Sequence, residues 1–183
     1  LTHPAQAAAL AIASSTGGPQ ALLQVFREFK GVTLRAPVFI TQHMPPNFTA
    51  ILADHISKAS GMDCHEAVDG EVVTVGKIYL APGDFHMTVK REGVQCVIRL
   101  NQNAPENFCR PSSDPMFRRL ATVLGSDGAR GASELVAAGS SVVAQDEATC
   151  VVYGMPKAVV DAKLTSAIFP LNGIAPYLLK AVT

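Results

Sequence analysis

Residues 8–19, AALAIASSTGGP, indicate the class of fold. Residues 8–13 form an uninterrupted apolar run, which is typical of a strand buried on both faces of a parallel sheet. The small polar residues and glycines after it end the strand, and Pro19 favours the first turn of a helix. Four apolar residues then recur at the spacing of one helix face: Leu22, Val25, Phe26 and Phe29. The chain therefore passes from a buried strand through a tight turn into a helix.

The same order of elements follows once more. PVFIT at 37–41 predicts a second buried strand, and the turn QHMPP comes directly after it. A second helical stripe is then formed by Phe48, Ile51, Leu52 and Ile56. Strands that alternate with helices through short connections predict a parallel sheet covered on both faces.

The middle of the chain has a different pattern. Between Glu71 and Leu100, short runs alternate apolar and polar residues at period two and are separated by glycine-containing turns. The runs are EVVTV, KIYLAP, HMTVK and VQCVIRL. This pattern predicts β-hairpins inserted into the α/β fold, at about residues 64–100.

Helical patterns return after the hairpins. Asp114 is expected to cap a helix, with Pro115 in its first turn. SDGARGASELVAAG predicts a turn into a helix, SVVAQ a strand, GMPKAVVDA a helix, and residues 172–182 a final helix. The prediction is one α/β domain over residues 1–183, with a doubly wound, mainly parallel sheet, helices on both faces and a β-hairpin insert.

Composition excludes several classes of function. The formal net charge is zero and no basic patch is evident, so a nucleic-acid partner is not expected. No apolar run reaches the roughly 18 residues of a membrane span, and no basic segment of a signal peptide precedes the apolar start. The four cysteines are too widely spaced for a metal motif, which favours reduced thiols in a cytoplasm. We expect no metal and no cofactor.

Polar clusters follow three of the predicted strands and helices: Ser14-Ser15-Thr16, Gln42-His43-Met44 and Ser126-Asp127-Gly128. In α/β sheets of this kind, ligands bind beyond the carboxyl ends of the strands. A serine nucleophile requires an adjacent base, and the base requires a carboxylate that orients it. The three clusters therefore predict a hydroxyl, an imidazole and a carboxylate at one sheet edge.

Ser15 is the centre of Ala-Ser-Ser-Thr-Gly at 13–17, which is similar to the nucleophile elbow of serine hydrolases. At a helix N-terminus, free backbone N–H groups and the helix dipole favour a developing oxyanion. Gly17 and Gly18 would allow a substrate carbonyl to approach the backbone.

Other interpretations of these residues stay open. Such a loop alone is more often a helix cap or a phosphate site, although the dinucleotide motif GxGxxG is not present. His86 competes with His43 as the base, and His55 is expected at a core or boundary position. Asp127 can also be a helix cap. The alternative acids are Asp84, Asp114 and Asp146.

With these clusters identified, the chain resembles the catalytic domain of chemotaxis protein-glutamate methylesterases, the CheB family. The matching stretches are IASSTGGPQAL (12–22), ITQHMPPNFT (40–49), IYLAPGDFHM (78–87), RPSSDPMF (110–117), GSDGARG (125–131) and AQDEATCVVYGMPKAVV (144–160). They occur in family order and cover nearly the whole chain.

The resemblance implies residue roles and a reaction. Ser15 matches the nucleophile, His43 the base and Asp127 the acid, while Thr16 neighbours the nucleophile in the family motif. The implied activity is demethylation of glutamate methyl esters on chemoreceptor cytoplasmic helices, with deamidation of glutamines as a second activity. A receiver domain in cis or in trans is an implied partner. The alternatives are a catalytically silent binding module and a general small-ester hydrolase.

The chain departs from the family pattern in three respects. Ala13 and Ser14 stand where the family usually has glycine and alanine. The interval from Arg118 to Gly125 is short by about one strand (~5–10 residues). The receiver domain that precedes many family catalytic domains is not within these 183 residues.

Overall fold

The computed structural model describes residues 7–124 and 132–183. The strands are β1 (Leu10–Ser14), β2 (Val38–Gln42), β3 (Cys64–Glu66), β4 (Ile78–Leu80), β5 (His86–Glu92), β6 (Gln95–Asn101), β7 (Val143–Gln145) and β8 (Ala167–Phe169). The helices are α1 (Gly18–Arg27), α2 (Phe48–Ser60), α3 (Ser113–Leu124), α4 (Ala132–Ala137), α5 (Gly154–Asp161) and α6 (Leu171–Val182).

The central sheet has four parallel strands in the order β1-β2-β4-β3. Because the strands are parallel, their carboxyl ends lie at one edge. Ser14 pairs with Gln42 in the register of β1 and β2, so the residues that follow these two strands emerge side by side. A further pair of parallel strands is formed by β7 and β8.

Both faces of the central sheet are covered, because side chains alternate between the faces along each strand. Val38 and Ile40 belong to a core that includes buried residues of α1, α2 and α6. Phe39 and Tyr79 belong to a second core, with Met87 of the β5–β6 hairpin and residues of α3. This arrangement confirms the predicted doubly wound α/β fold with helices on both faces.

The hairpin prediction is right for one part of the middle region and wrong for another. β5 and β6 form an antiparallel hairpin, as expected. The run KIYLAP contains β4, which pairs in parallel with β2 and β3 in the central sheet. β4 has only three residues, all of them buried. So short a run does not show whether apolar residues alternate, so its sequence cannot distinguish a strand of the central sheet from a strand of a hairpin. Within EVVTV, Val72 forms only an isolated bridge, with Val97.

The expected stripe on α2 is only half buried. Leu52 and Ile56 belong to the core, but Phe48 is 58% and Ile51 52% exposed. His55 is exposed as well, which contradicts the expected core or boundary position. The buried face of α2 is formed instead by Thr49, Leu52, Ala53, Ile56 and Ser60, so the helix is rotated about its axis relative to the predicted stripe.

The cap prediction for α3 is wrong in position. The helix begins at Ser113, so Asp114 lies inside its first turn and accepts a hydrogen bond from Asn107 Nδ2 at 2.8 Å. Pro115 is in the first turn, as expected. Within the two described ranges, no helix is long and apolar enough to cross a membrane.

Candidate active site

The turn that carries Ser15 is shaped by glycine. β1 ends at Ser14 and α1 begins at Gly18, so three residues connect them. Gly17 has a φ of 80°, and a Cβ there would lie 2.6 Å from Val151 Cγ2. A side chain at this position would be strained by both the backbone and the close contact. Ser15 is thereby held at the sharp exit from the strand.

His43 follows β2 directly, and the sheet hydrogen bonding continues to it. The His43 backbone N–H donates to the Ser14 carbonyl at 3.1 Å. Ser15 Oγ then lies 3.3 Å from His43 Nδ1, at the long end of the hydrogen-bond range. The sheet edge thus brings together two of the three predicted site residues.

The environment of His43 favours a neutral ring. Partial burial removes water from the imidazole and lowers the pKa of His43 below its usual value, while the negative charge of Asp114 opposes this shift. A neutral imidazole can accept a proton from a serine hydroxyl. Acceptance at Nδ1 requires the ring hydrogen to be on Nε2.

The predicted acid, Asp127, lies outside the described residues. Among the described residues, no carboxylate forms a hydrogen bond with His43. The alternative acids have other partners: Asp84 accepts from Arg110 at 2.6 and 2.8 Å, Asp114 from Asn107, and Asp146 from Thr149 Oγ1 at 2.6 Å. Of these, Asp114 is the one whose charge acts on the His43 ring.

The neighbouring hydroxyl of Ser14 and the competing base His86 both have other hydrogen-bond partners. Ser14 Oγ donates to Gln42 Oε1 at 2.7 Å rather than to an imidazole. His86 is buried, accepts from the Ser112 backbone N–H at Nδ1 and lies 3.1 Å from the Ala104 carbonyl at Nε2. Because backbone groups occupy both ring nitrogens, His86 has a structural role.

Ser15 and His43 border an open cleft of about 450 Å³. Its other lining residues are Thr16, Gly17, Pro19, Gln20, Gln42, Met44, Pro45 and Phe48. Thr16 and Gly17, two of the predicted substrate- or oxyanion-binding residues, are therefore at the cleft.

Gly18, the third of those residues, is buried behind the cleft. Its backbone N–H already donates to the Ser15 carbonyl at 2.7 Å. A Cβ on Gly18 would lie only 2.0 Å from Gln42 Oε1, so the missing side chain makes room for that amide. A role for Gln42 could not be predicted from the sequence, because a polar residue at the end of a strand carries no distinctive pattern.

A serine hydroxyl beside a neutral imidazole, at the carboxyl edge of a parallel sheet, defines the class of site found in serine hydrolases. The model of the CheB methylesterase family matches residues 10–178, and the chain belongs to that family.

Several relatives are similar over most of the chain. A protein-glutamate methylesterase/protein-glutamine glutaminase 1 of Paramagnetospirillum magneticum is 51% identical over 93% of this chain and 48% of its own length. A protein-glutamate methylesterase/protein-glutamine glutaminase of Rhodopseudomonas palustris is 52% identical over the same shares. The chain therefore spans about half the length of these curated relatives.

A solved structure supports the fold. The crystal structure of the Thermotoga maritima CheB methylesterase catalytic domain has a TM-score of 0.88 and 33% sequence identity. The match covers 96% of this chain and 98% of the solved one.

Proposed function

We propose that this chain hydrolyses glutamate methyl esters on chemoreceptors, with Ser15 as the nucleophile, His43 as the base and Asp127 as the acid. The observation that carries the proposal is the 3.3 Å contact between Ser15 Oγ and His43 Nδ1 in an open cleft. The names of the relatives support the reaction class.

In the first half of the reaction, His43 Nδ1 takes the Ser15 proton as Oγ attacks the ester carbonyl. A tetrahedral oxyanion forms. When it collapses, the bond to the methoxy group breaks, and His43 returns the proton so that methanol leaves. The product is an acyl-enzyme between Ser15 and the glutamate side chain.

In the second half, His43 takes a proton from water, which attacks the acyl-enzyme. The Ser15 ester bond breaks and His43 reprotonates Oγ, so the free glutamate carboxylate is released. A glutamine side chain follows the same steps with ammonia as the leaving group, which accounts for a deamidase activity.

Backbone donors at the Ser15 turn are suited to stabilise the oxyanion. Within residues 7–124 and 132–183, the backbone N–H groups of Thr16 and Gly17 have no hydrogen-bond acceptor, and both residues line the cleft. They precede the N-terminus of α1, whose dipole favours negative charge. Loss of one good donor costs about 10²–10³ in rate in a comparable enzyme.

The shape of the cleft supports a substrate on a protein surface. The cleft is open, and Phe48 at its rim exposes 58% of its surface. We propose a cytoplasmic receptor helix that presents one glutamate ester to Ser15. A receiver domain in cis or in trans is the proposed regulatory partner, and the cytoplasm the proposed location.

Methanol release from methylated receptor membranes tests the proposal. We expect the Ser15→Ala variant to release no methanol and to remain folded, while Ser14→Ala retains measurable activity. Substantial methanol release by Ser15→Ala would contradict the assignment of the nucleophile. Ser140→Ala, an exposed serine far along the chain, is the matched control and should act like the unmodified chain.

A fluorophosphonate probe separates an enzyme from a silent binding module. The unmodified chain should be labelled and Ser15→Ala should not. Comparison of methanol release with hydrolysis of p-nitrophenyl acetate separates a receptor-directed esterase from a general one.

A further inference from the structure

We propose that Gln42 is a positioning residue that fixes the Ser15–His43 geometry through its side-chain amide. The inference rests on the proposed function of this pair. Gln42 is the last residue of β2, directly before His43, and its register partner across the sheet is Ser14, directly before Ser15. One side chain therefore lies between the two loops that carry the reacting groups.

The amide of Gln42 is buried, with 2% exposure, and it contacts both loops. Nε2 donates to the Ser15 carbonyl at 3.0 Å and to the His43 carbonyl at 3.1 Å. Oε1 accepts from Ser14 Oγ at 2.7 Å. Both amide hydrogens are thus used, one on the backbone of each residue of the pair.

The orientation of the amide follows from its partners. Two carbonyl oxygens can only accept, so the NH₂ group must face them. The oxygen of the amide then faces Ser14, whose hydroxyl must donate. The Ser14 hydroxyl is therefore the third contact that holds the amide, and its hydrogen is not available for a second partner.

The uncharged Gln42 amide is expected to affect the distance between Ser15 and His43 rather than their charges. Without it, the Ser15 carbonyl keeps only the Gly18 N–H at 2.7 Å, and the His43 carbonyl loses the side-chain donor. The turn and the base could then shift relative to each other. A misplacement of about 1 Å at reacting groups can lower a rate by about 10²-fold.

The test compares Gln42→Glu and Gln42→Met with Thr41→Val. Glu keeps the size of the side chain but lacks the two donors, and Met lacks all three polar contacts. Thr41 is a fully buried control on the same strand whose side chain contacts Met116 on the opposite face of the sheet. All variants are compared as folded protein, by circular dichroism and thermal unfolding.

We expect the rate of fluorophosphonate labelling of Ser15 to fall roughly 10- to 100-fold in both Gln42 variants, and to stay within about twofold of the unmodified chain in Thr41→Val. For methanol release, kcat per active site, with sites counted by fluorophosphonate labelling carried to completion, should fall while KM changes little. A purely structural defect would instead lower the number of sites that label and leave kcat per labelled site unchanged. Gln42 variants that label at the Thr41→Val rate would overturn the inference.

A milder variant keeps the test decisive if both Gln42 variants fail to fold. Ser14→Ala removes only one of the three contacts that hold the amide, and labelling should slow roughly 2- to 10-fold, as expected for one hydrogen bond. Labelling at the unmodified rate would overturn the inference. An unmodified chain that neither labels nor releases methanol would instead refute the proposed function, and the positioning role with it.

Discussion

The close fit between Gly18 and the Gln42 amide leads to a quantitative prediction for Gly18→Ala. The new Cβ would lie 2.0 Å from Gln42 Oε1 and 2.9 Å from Ser14 Cβ. Gly18 does not have a positive φ, so the backbone itself accepts alanine. The cost therefore comes mainly from displacing a buried amide, with a smaller part from the tight contact with Ser14 Cβ.

The magnitude follows from the contacts that the displaced amide would lose. Its three hydrogen bonds contribute about 0.5–1.5 kcal/mol each to the free energy of unfolding. Alanine lowers the entropy of the unfolded chain relative to glycine, which offsets about 0.4–1 kcal/mol. We expect Gly18→Ala to reduce the free energy of unfolding by roughly 1–4 kcal/mol.

A double-mutant cycle measured by urea denaturation assigns that loss to Gln42. In a Gln42→Ala background no amide has to move, so the cost of Gly18→Ala should fall by more than half, leaving the tight contact with Ser14. Gly17→Ala is the matched control, since its cost comes from a φ of 80° and from Val151 and should be the same in both backgrounds. An equal cost of Gly18→Ala in both backgrounds would show that displacement of the Gln42 amide does not cause the loss of stability.

Three further predictions concern single groups. The rate should fall toward acid pH with a midpoint below the usual histidine pKa of about 6.5, because burial lowers the pKa of His43. Asp114→Asn should move this midpoint lower still, because it removes the negative charge that raises the pKa. A midpoint that moves to higher pH in Asp114→Asn would contradict the prediction. Burial and the charge of Asp63 raise the pKa of Cys64 to about 12, so iodoacetamide at mildly alkaline pH should modify this thiol only after denaturation, as read by mass spectrometry. Thr49→Val should lower the free energy of unfolding by about 1–3 kcal/mol, because the buried hydroxyl accepts from the Gly83 N–H at 3.0 Å and donates to the Glu66 carboxylate. A loss below about 0.5 kcal/mol would show that water replaces the hydroxyl as their hydrogen-bond partner.

The parts of the fold that were predicted correctly have strong local patterns. β2 is a continuous apolar run ending in polar residues, and Leu22, Val25 and Phe26 mark one face of α1 at helical spacing. β3 was not predicted, because it has only three residues and one buried side chain. A strand that short is specified by its parallel neighbour β4 rather than by its own sequence.

In the candidate site as well, some features could be predicted from local sequence patterns and others could not. Ser15 and His43 could be predicted to meet, because residues that follow adjacent parallel strands leave the sheet together. Gln42 could not, since its role depends on which way a strand-end side chain turns. Similarly, the exposure of Phe48 depends on how α2 is rotated about its axis against the core, which the helical spacing of apolar residues alone does not fix.

The backbone ladder between β1 and β2 has a consequence for how sequences of this fold can vary. It extends one hydrogen bond past the strands, from the His43 N–H to the Ser14 carbonyl. The separation of the two backbone segments that carry Ser15 and His43 is therefore set by the spacing of neighbouring strands, about 4.8 Å, and not by the helices packed outside. Substitutions in the outer helices can change stability over a wide range and leave this separation intact. A slip of one residue between the two strands would instead move Ser15 and His43 relative to each other, so the proposed activity depends on the register of β1 and β2.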